Sequence, residues 1–409
     1  MSSVPLLWLD RVTTAMFAIT IGFTFCGLFL LPEGKTILSN LLVTSIILGL
    51  LNVMIGGKCS VGLSDRRLLW VFLGYAAFIF LNRIIHGDQY GVMRSLVYVV
   101  LFGLLIPRSR VILIAGRYAI LLGGLGLGIL SMEQVSQGIL RVDGFTNAIL
   151  FSQASLALVL LGWFIGYEKT SLRWEKVLST ITIIMSSYAL YASQSRGVWL
   201  ALIFILAIPF WLRLRKKPLK YFGVLIILGL GFTIFYQQST ILQARTHDSI
   251  SDLRNAATGV YGTSWGLRIV AWQGAWQGFL TSPVIGVGSH GFDTIKQKLV
   301  AEGISSPLLL HDALAHSHNQ YMQNLLIRGL LGFGVLLVFI GLPIFWGYNL
   351  AGSSSVLTLY PIAFAISGLS DVPFEHQSII YIYALGLLFL WMEKTALDIT
   401  KKNNLRAMP

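Results

Sequence analysis

The stretch VWLALIFILAIPFWL at residues 198–212, followed by RLRKKPLK at 213–220 and YFGVLIILGLGFTIFY at 221–236, decides the fold. Neither apolar run carries a charge, and Arg213, Arg215, Lys216, Lys217 and Lys220 lie between them. A bilayer core of roughly 30 Å takes about 20 apolar residues per helix. Lipid offers no partner for an unpaired backbone group, so such runs cross it as helices. The pair therefore reads as a helical hairpin whose basic loop resists translocation.

The same pattern repeats outward in both directions. Apolar segments at 12–31, 36–55, 68–85, 93–106, 111–130, 148–167, 177–193, 198–212, 221–236, 321–348, 356–370 and 379–392 make twelve expected helices. The whole chain is 55% hydrophobic, 11% charged and has a mean hydropathy of +0.74. No soluble domain of 409 residues needs that balance for its core, so an all-α membrane protein is expected. The first segment has no small-residue cleavage site after it and reads as a retained helix.

Lys and Arg in short loops set the orientation. Lys58, Arg66 and Arg67 share one side with Arg108 and Arg110, with Lys169, Arg173 and Lys176, with the 213–220 loop and with Lys394, Lys401, Lys402 and Arg406. The other short loops hold only Lys35, Arg83, Arg94, Arg141 and Arg196. Both termini are thus expected in the cytoplasm, and the net charge of +13 is a topology signal rather than a nucleic-acid surface. Cys26 falls in a helix and Cys59 in a cytoplasmic loop, so no disulfide is expected.

The expected layout is helices one to nine over 1–237, an outer loop at 238–320, helices ten to twelve over 321–393 and a cytoplasmic tail at 394–409. A loop of that length is functional or disordered. This one carries Trp265, Ile269, Trp272, Trp276 and Phe279 at steps of three and four, the stripe of an interfacial amphipathic helix. Arg268 then sits at the stripe's edge, at headgroup height.

Three outer-side residues carry chemistry. Arg196, in the turn Ser193-Gln194-Ser195-Arg196-Gly197, is either a snorkelling loop arginine or a diphosphate ligand. Arg268 is either a rim charge or a second such ligand. His318 follows Ser317, and Ser317 with Gln320 fits a capping box that puts the histidine at a helix N-terminus. That position favours a neutral, base-competent imidazole beside backbone donors for phosphate. Asp371 could orient His318 or bind an acceptor hydroxyl, though plain solvation of a helix end also accounts for it. His290, His311, Asp312, His316 and His318 raise a metal site, but their spacing matches no specific zinc pattern, and no metal or cofactor is expected.

These residues resemble the O-antigen ligase family. His318-Asn319, nine further residues, then Gly329 and Gly332 are similar to the family's His-Asn-x9-Gly-x-x-Gly signature. Arg196-Gly197-Val198-Trp199-Leu200 resembles its Arg-x3-Leu motif, and Arg268 in Leu267-Arg268-Ile269 resembles its second arginine. The resemblance implies a class C glycosyltransferase-like fold of the bacterial inner membrane with its active site facing the periplasm. It implies an undecaprenyl-diphosphate-linked glycan as donor, lipid A–core as acceptor, Arg196 and Arg268 as diphosphate ligands and His318 as general base; Asn319 and Asp371 are expected as further substrate-binding residues. Class C enzymes usually place a catalytic carboxylate in the first outer loop, where this chain has only Glu33. An O-antigen polymerase and a protein O-oligosaccharyltransferase share the pattern. A secondary transporter also fits twelve helices, but the long loop divides the chain unevenly. Gly329, Gly332 and Gly334 read as ordinary small-residue helix packing.

Overall fold

The computed structural model describes residues 4–56, 63, 65–168 and 172–406. The expected loop residues Lys58, Cys59 and Lys169 lie outside them. The helices in chain order are α1 (Val4–Cys26), α2 (Gly34–Met54), α3 (Arg67–His86), α4 (Tyr90–Leu105), α5 (Arg110–Ser136) and α6 (Ala148–Trp163) with a π turn at Phe164–Glu168. There follow α7 (Arg173–Ala192), α8 (Arg196–Lys216), α9 (Pro218–Gln238), α10 (Thr240–Ala257), α11 (Ser264–Thr281) and α12 (Gly288–Ala301). The chain ends in α13 (Gln320–Ala351), α14 (Val356–Ser367) and α15 (Gln377–Arg406). No strand occurs among the described residues.

Each of the twelve expected segments lies on a helix. Nine helices among the described residues are long and apolar enough to cross a membrane, which makes this an integral membrane protein. The other three segments fall short for different reasons. The helices α4 and α14 are apolar but short, while α7 opens on Arg173, Glu175 and Lys176 and buries the hydroxyls of Ser179, Thr182 and Ser186.

The core forms around α6 and α15, the most enclosed of these spans. Helix α5 reaches it through glycines. A side chain at Gly123 would meet the Phe25 carbonyl of α1 at 1.9 Å, and one at Gly124 would meet Thr182 of α7 at 2.4 Å. Bare backbone there brings three helices into close contact, the usual device where lipid supplies no hydrophobic drive.

The 238–320 segment is ordered as α10, α11 and α12 with 3-10 turns at Pro307–Leu310 and Asp312–Leu314. The tryptophan stripe of α11 is not its packing face. The buried residues are Gly266, Val270, Ala271, Gly274, Ala275, Gly278 and, alone of the stripe, Phe279, and a side chain at Gly278 would meet Leu326 of α13 at 2.3 Å. Small residues win because α11 lies hard against α13 at Gly278 and against the 3-10 turn at Leu309. The stripe divides instead, Trp265 and Trp272 lining a cavity and Trp276 standing exposed.

Gly329 is likewise more than small-residue packing. It interrupts α13 with φ 62° and ψ −163°, and the 283–287 segment crosses the break. Leu330 N–H donates to Pro283 O (2.8 Å), Leu331 N–H to Val284 O (3.2 Å) and Val287 N–H to Leu326 O (2.9 Å), so the interrupted helix keeps its partners. A Cβ at Gly329 would lie 2.4 Å from Val284 backbone, whereas Gly334 faces open space. Gly329→Ala is expected to cost at least about 1–3 kcal/mol from backbone strain alone. Gly334→Ala should be neutral or slightly stabilising. Thermal unfolding in detergent compares the two, and equal midpoints would show that the bend is dispensable.

Candidate active site

At the end of the bundle that carries α10–α12, a cavity of about 570 Å³ is lined by Arg141, Arg196, Arg245, Arg268 and His318, with Trp265 and Trp272. Arg196, Arg268 and His318, singled out from sequence, thus meet in one space. Arg141 and Arg245 join them, and no carboxylate lines the cavity among the described residues.

Arg196 is not in the α7–α8 turn but is the first residue of α8. Ser195 precedes it without capping the helix, because its hydroxyl donates to Ala148 O (3.0 Å). The Arg196 guanidinium donates to Ser249 Oγ (2.9 Å) and pairs with Asp252 (3.1 Å), both on α10. Gln194 takes a left-handed φ of 55°, unusual for a residue with a side chain. Its amide oxygen accepts from Arg245 Nε (2.9 Å) and its amide nitrogen donates to Leu140 O. Arg141 Nε donates to Ser193 O (3.1 Å). The four guanidinium groups are therefore aimed by backbone, amide and hydroxyl groups, with Asp252 and Asp248 as the paired carboxylates.

Like charges crowd here. Burial lowers Arg141 from its ordinary range, and the charges of Arg245, Arg268 and Arg196 lower it further. Burial also lowers Arg268, with Arg196 adding to the effect and the Asp371 and Asp252 charges opposing it. Arg268 Nε and Trp272 Nε1 are buried without a hydrogen-bond partner. A crowded set of cations, one of them with an unused buried donor, suits a polyanionic group.

The helix N-terminus at His318 differs from the expected capping box. Asn319 is the cap, its Oδ1 accepting from Tyr321 N–H (3.0 Å) and Met322 N–H (3.1 Å), while its amide nitrogen donates to Leu369 O (3.1 Å). Gln323 takes the Ser317 N–H (2.8 Å), and Gln320 N–H donates to Gly368 O (2.8 Å). The first turn of α13 therefore has its donors engaged, and the cavity's anion-binding capacity rests on the arginines. His318 lies just before the cap at φ 49°, a second left-handed residue on the cavity wall.

His318 Nδ1 stands 3.9 Å from Asp371 Oδ1, and Gln153 Nε2 donates to Asp371 Oδ2 (3.1 Å). The Asp371 side chain is 4% exposed and that of His318 20%, so the carboxylate is held behind the imidazole. His316 packs against His318, ring centroids 4.3 Å apart, and its Nδ1 accepts the His318 N–H (3.3 Å). Burial, with the nearby charges of His318, His376 and Arg268, drives His316 down to about 3, so the ring is neutral and one of its nitrogens can accept. Ligand atoms of His316, His318 and Asp371 lie within 4.8 Å of one another, a set able to hold a metal ion. His290, His311 and Asp312 are not in that set.

A second cluster lies beneath. Arg328 of α13 is wholly buried and makes two hydrogen bonds to Asp88 (2.8 Å each) and two to Glu375 (2.7 and 3.0 Å). Gln320 links Glu375 (3.2 Å) to the Phe374 N–H (2.8 Å), so the cluster ties the loop bearing Asp371 to the start of α13. Sequence reading passed over Arg328, although a lone arginine inside LLIRGLLG is itself a signal. It also passed over Arg245, which the spacing Arg245, Asp248, Ser249, Asp252 places on one polar helix face.

Residues 181–337 match the profile of a family described as O-antigen ligase. Through this segment the chain is similar to the O-antigen ligase family. The family segment takes in Arg196, Arg245, Arg268, His318 and Arg328, and Arg141 and Asp371 reach the cavity region from outside it. An uncharacterized protein of Haemophilus influenzae is 24% identical over 355 residues, 82% of this chain and 86% of that protein. The match supports an O-antigen ligase or polymerase type of function in broad terms.

Proposed function

We propose that this chain is an O-antigen ligase that transfers an undecaprenyl-diphosphate-linked glycan to a sugar hydroxyl of lipid A–core at the periplasmic face of the inner membrane. The observation that carries this is one cavity holding four guanidinium groups, no lining carboxylate and His318. A class C-like fold of twelve spans, with both termini in the cytoplasm, belongs to the same reading.

The acceptor hydroxyl oxygen attacks the anomeric carbon, the bond from that carbon to the diphosphate breaks, and the lipid diphosphate leaves with the electron pair. Direct displacement inverts the anomeric centre. Arg196 and Arg268, aided by Arg141 and Arg245, stabilise the charge that grows on the leaving group; this is preorganised electrostatic catalysis. With Nδ1 of His318 turned towards Asp371, its other ring nitrogen accepts the hydroxyl proton. Asp371 orients the imidazole and favours its protonated form as the reaction proceeds. Asn319 acts by holding the α13 N-terminus in place.

Purified Arg196→Ala and Arg268→Ala should each raise the donor KM or lower kcat/KM about tenfold or more, since a charged hydrogen bond contributes about 1.5–3 kcal/mol. The acceptor KM should stay unchanged, and turnover should persist in excess chelator. Unaltered donor kinetics would remove the diphosphate role. Loss of activity in chelator, restored by one cation, would give His316, His318 and Asp371 a metal instead.

A further inference from the structure

On the same end of the bundle, a separate cleft of about 320 Å³ opens between α2, α4 and α15, lined by Lys35, Ser39, Asn40, Arg94 and Gln377 among others. Two of its lining residues are cations and none is a carboxylate. The Arg94 guanidinium is held over the rings of Tyr90 (5.6 Å) and Tyr98 (6.0 Å), and its Nε is buried without a hydrogen-bond partner. No ion pair to Arg94 or Lys35 occurs among the described residues. The Gln377 side chain fills the space beside Gly91, where a Cβ would fall 1.8 Å from its amide nitrogen. Aromatic faces, rather than acids, thus position a cation beside amide and hydroxyl groups.

This cleft adjoins a second of about 320 Å³, which shares Lys35 and Gln377 and continues past Glu33 and Phe145 to His376. The His376 ring lies 6.0 Å from His316, which lies 4.3 Å from His318. The Lys35–Arg94 pair is thus linked through shared lining residues to His376, the outermost ring of the histidine cluster. Glu33 and Glu375 line this second cleft, and Thr36, on the wall of the first, donates to Glu33 (3.1 Å).

We infer that the Lys35–Arg94 cleft binds the phosphomonoester of a lipid headgroup and so anchors the acceptor lipid opposite the donor. This rests on the transferase reading above for the word acceptor, but the binding claim stands by itself. Donor and acceptor then approach His318 from two sides, each held by its own cations, and neither phosphate competes for the other's site.

The test takes the full chain in detergent and counts bound lipid by native mass spectrometry with phosphatidic acid, phosphatidylcholine or inorganic phosphate. Wild type should retain phosphatidic acid, and Lys35→Gln and Arg94→Gln should each weaken that binding about fivefold, the usual effect of one cation at a lipid surface. Arg94→Lys, which keeps the charge, should restore most of it and guards against a folding defect. Equal retention by wild type and both neutral variants overturns the site, as does equal retention of phosphatidylcholine. Displacement by inorganic phosphate at matched concentration overturns the lipid assignment in favour of free phosphate. In the transfer assay, Lys35→Gln should raise the acceptor KM and leave the donor KM alone. An absence of transfer in wild type would sink the transferase reading without touching the lipid-binding result.

Discussion

His318→Asn is expected to lower kcat roughly 10²–10⁴-fold, the usual worth of a positioned general base, while the protein keeps its thermal midpoint. Asparagine is the better substitution because His318 sits at φ 49°. Asparagine tolerates the left-handed region, whereas alanine there adds backbone strain of about 1–2 kcal/mol to the chemical loss. His318→Ala should therefore be both inactive and less stable. The contrast separates catalysis from folding in one experiment. Single-turnover transfer from a lipid-diphosphate glycan reads the first effect, and thermal unfolding reads the second. Native turnover by purified His318→Asn would end the base assignment. Asp371→Asn should cost less, because the carboxylate acts through the imidazole from 3.9 Å.

The largest effect on folding is expected from Arg328→Ala. Its guanidinium is 0% exposed and lies between Asp88 and Glu375, each held by two hydrogen bonds. Removing one partner of a buried ion pair costs about 3–5 kcal/mol, because the other charge is left without compensation. Here two carboxyl groups lose their partner at once. Arg328→Lys keeps the charge but cannot form the paired hydrogen bonds, so an intermediate loss is expected. Proteolysis and thermal unfolding in detergent measure both. A midpoint for Arg328→Ala within about two degrees of wild type would show that this cluster does not hold the loop bearing Asp371, given the usual shift of roughly 2–4 °C per kcal/mol in larger domains.

The course of the helices was legible because long apolar runs have one stable form in lipid, and each of the twelve runs is found on a helix. Helix ends were less so. Ser317 with Gln320 and Asn319 alone are both credible caps, and Asn319 takes the role because Gln323 captures the Ser317 N–H, a contact that no local pattern announces. On α11 the tryptophans and the glycines recur with the same helical period, and only the nearness of α13 and of the segment around Leu299, Leu309 and Leu314 makes the small face the buried one. The site shows the same division. Arg196, Arg268 and His318 stood out by their side of the membrane and their motifs, whereas Arg141, Arg245 and Arg328 acquire their setting from partners 50 to 240 residues away. Residue spacing carries a helix face across a few turns, not a contact between distant segments.

Helix α9 buries none of its residues, and Ser239 alone separates it from α10. A span with so little protein around it settles its inclination mainly against the hydrocarbon, and an excess or shortage of membrane thickness is absorbed by tilt. Because Arg245, Ser249 and Asp252 ride on the next helix, that inclination is handed on to the latch that holds Arg196. On the proposed reading, the acyl-chain length of the host bilayer then bears on the anion pocket through one serine, whose hydroxyl also meets Tyr191 of α7.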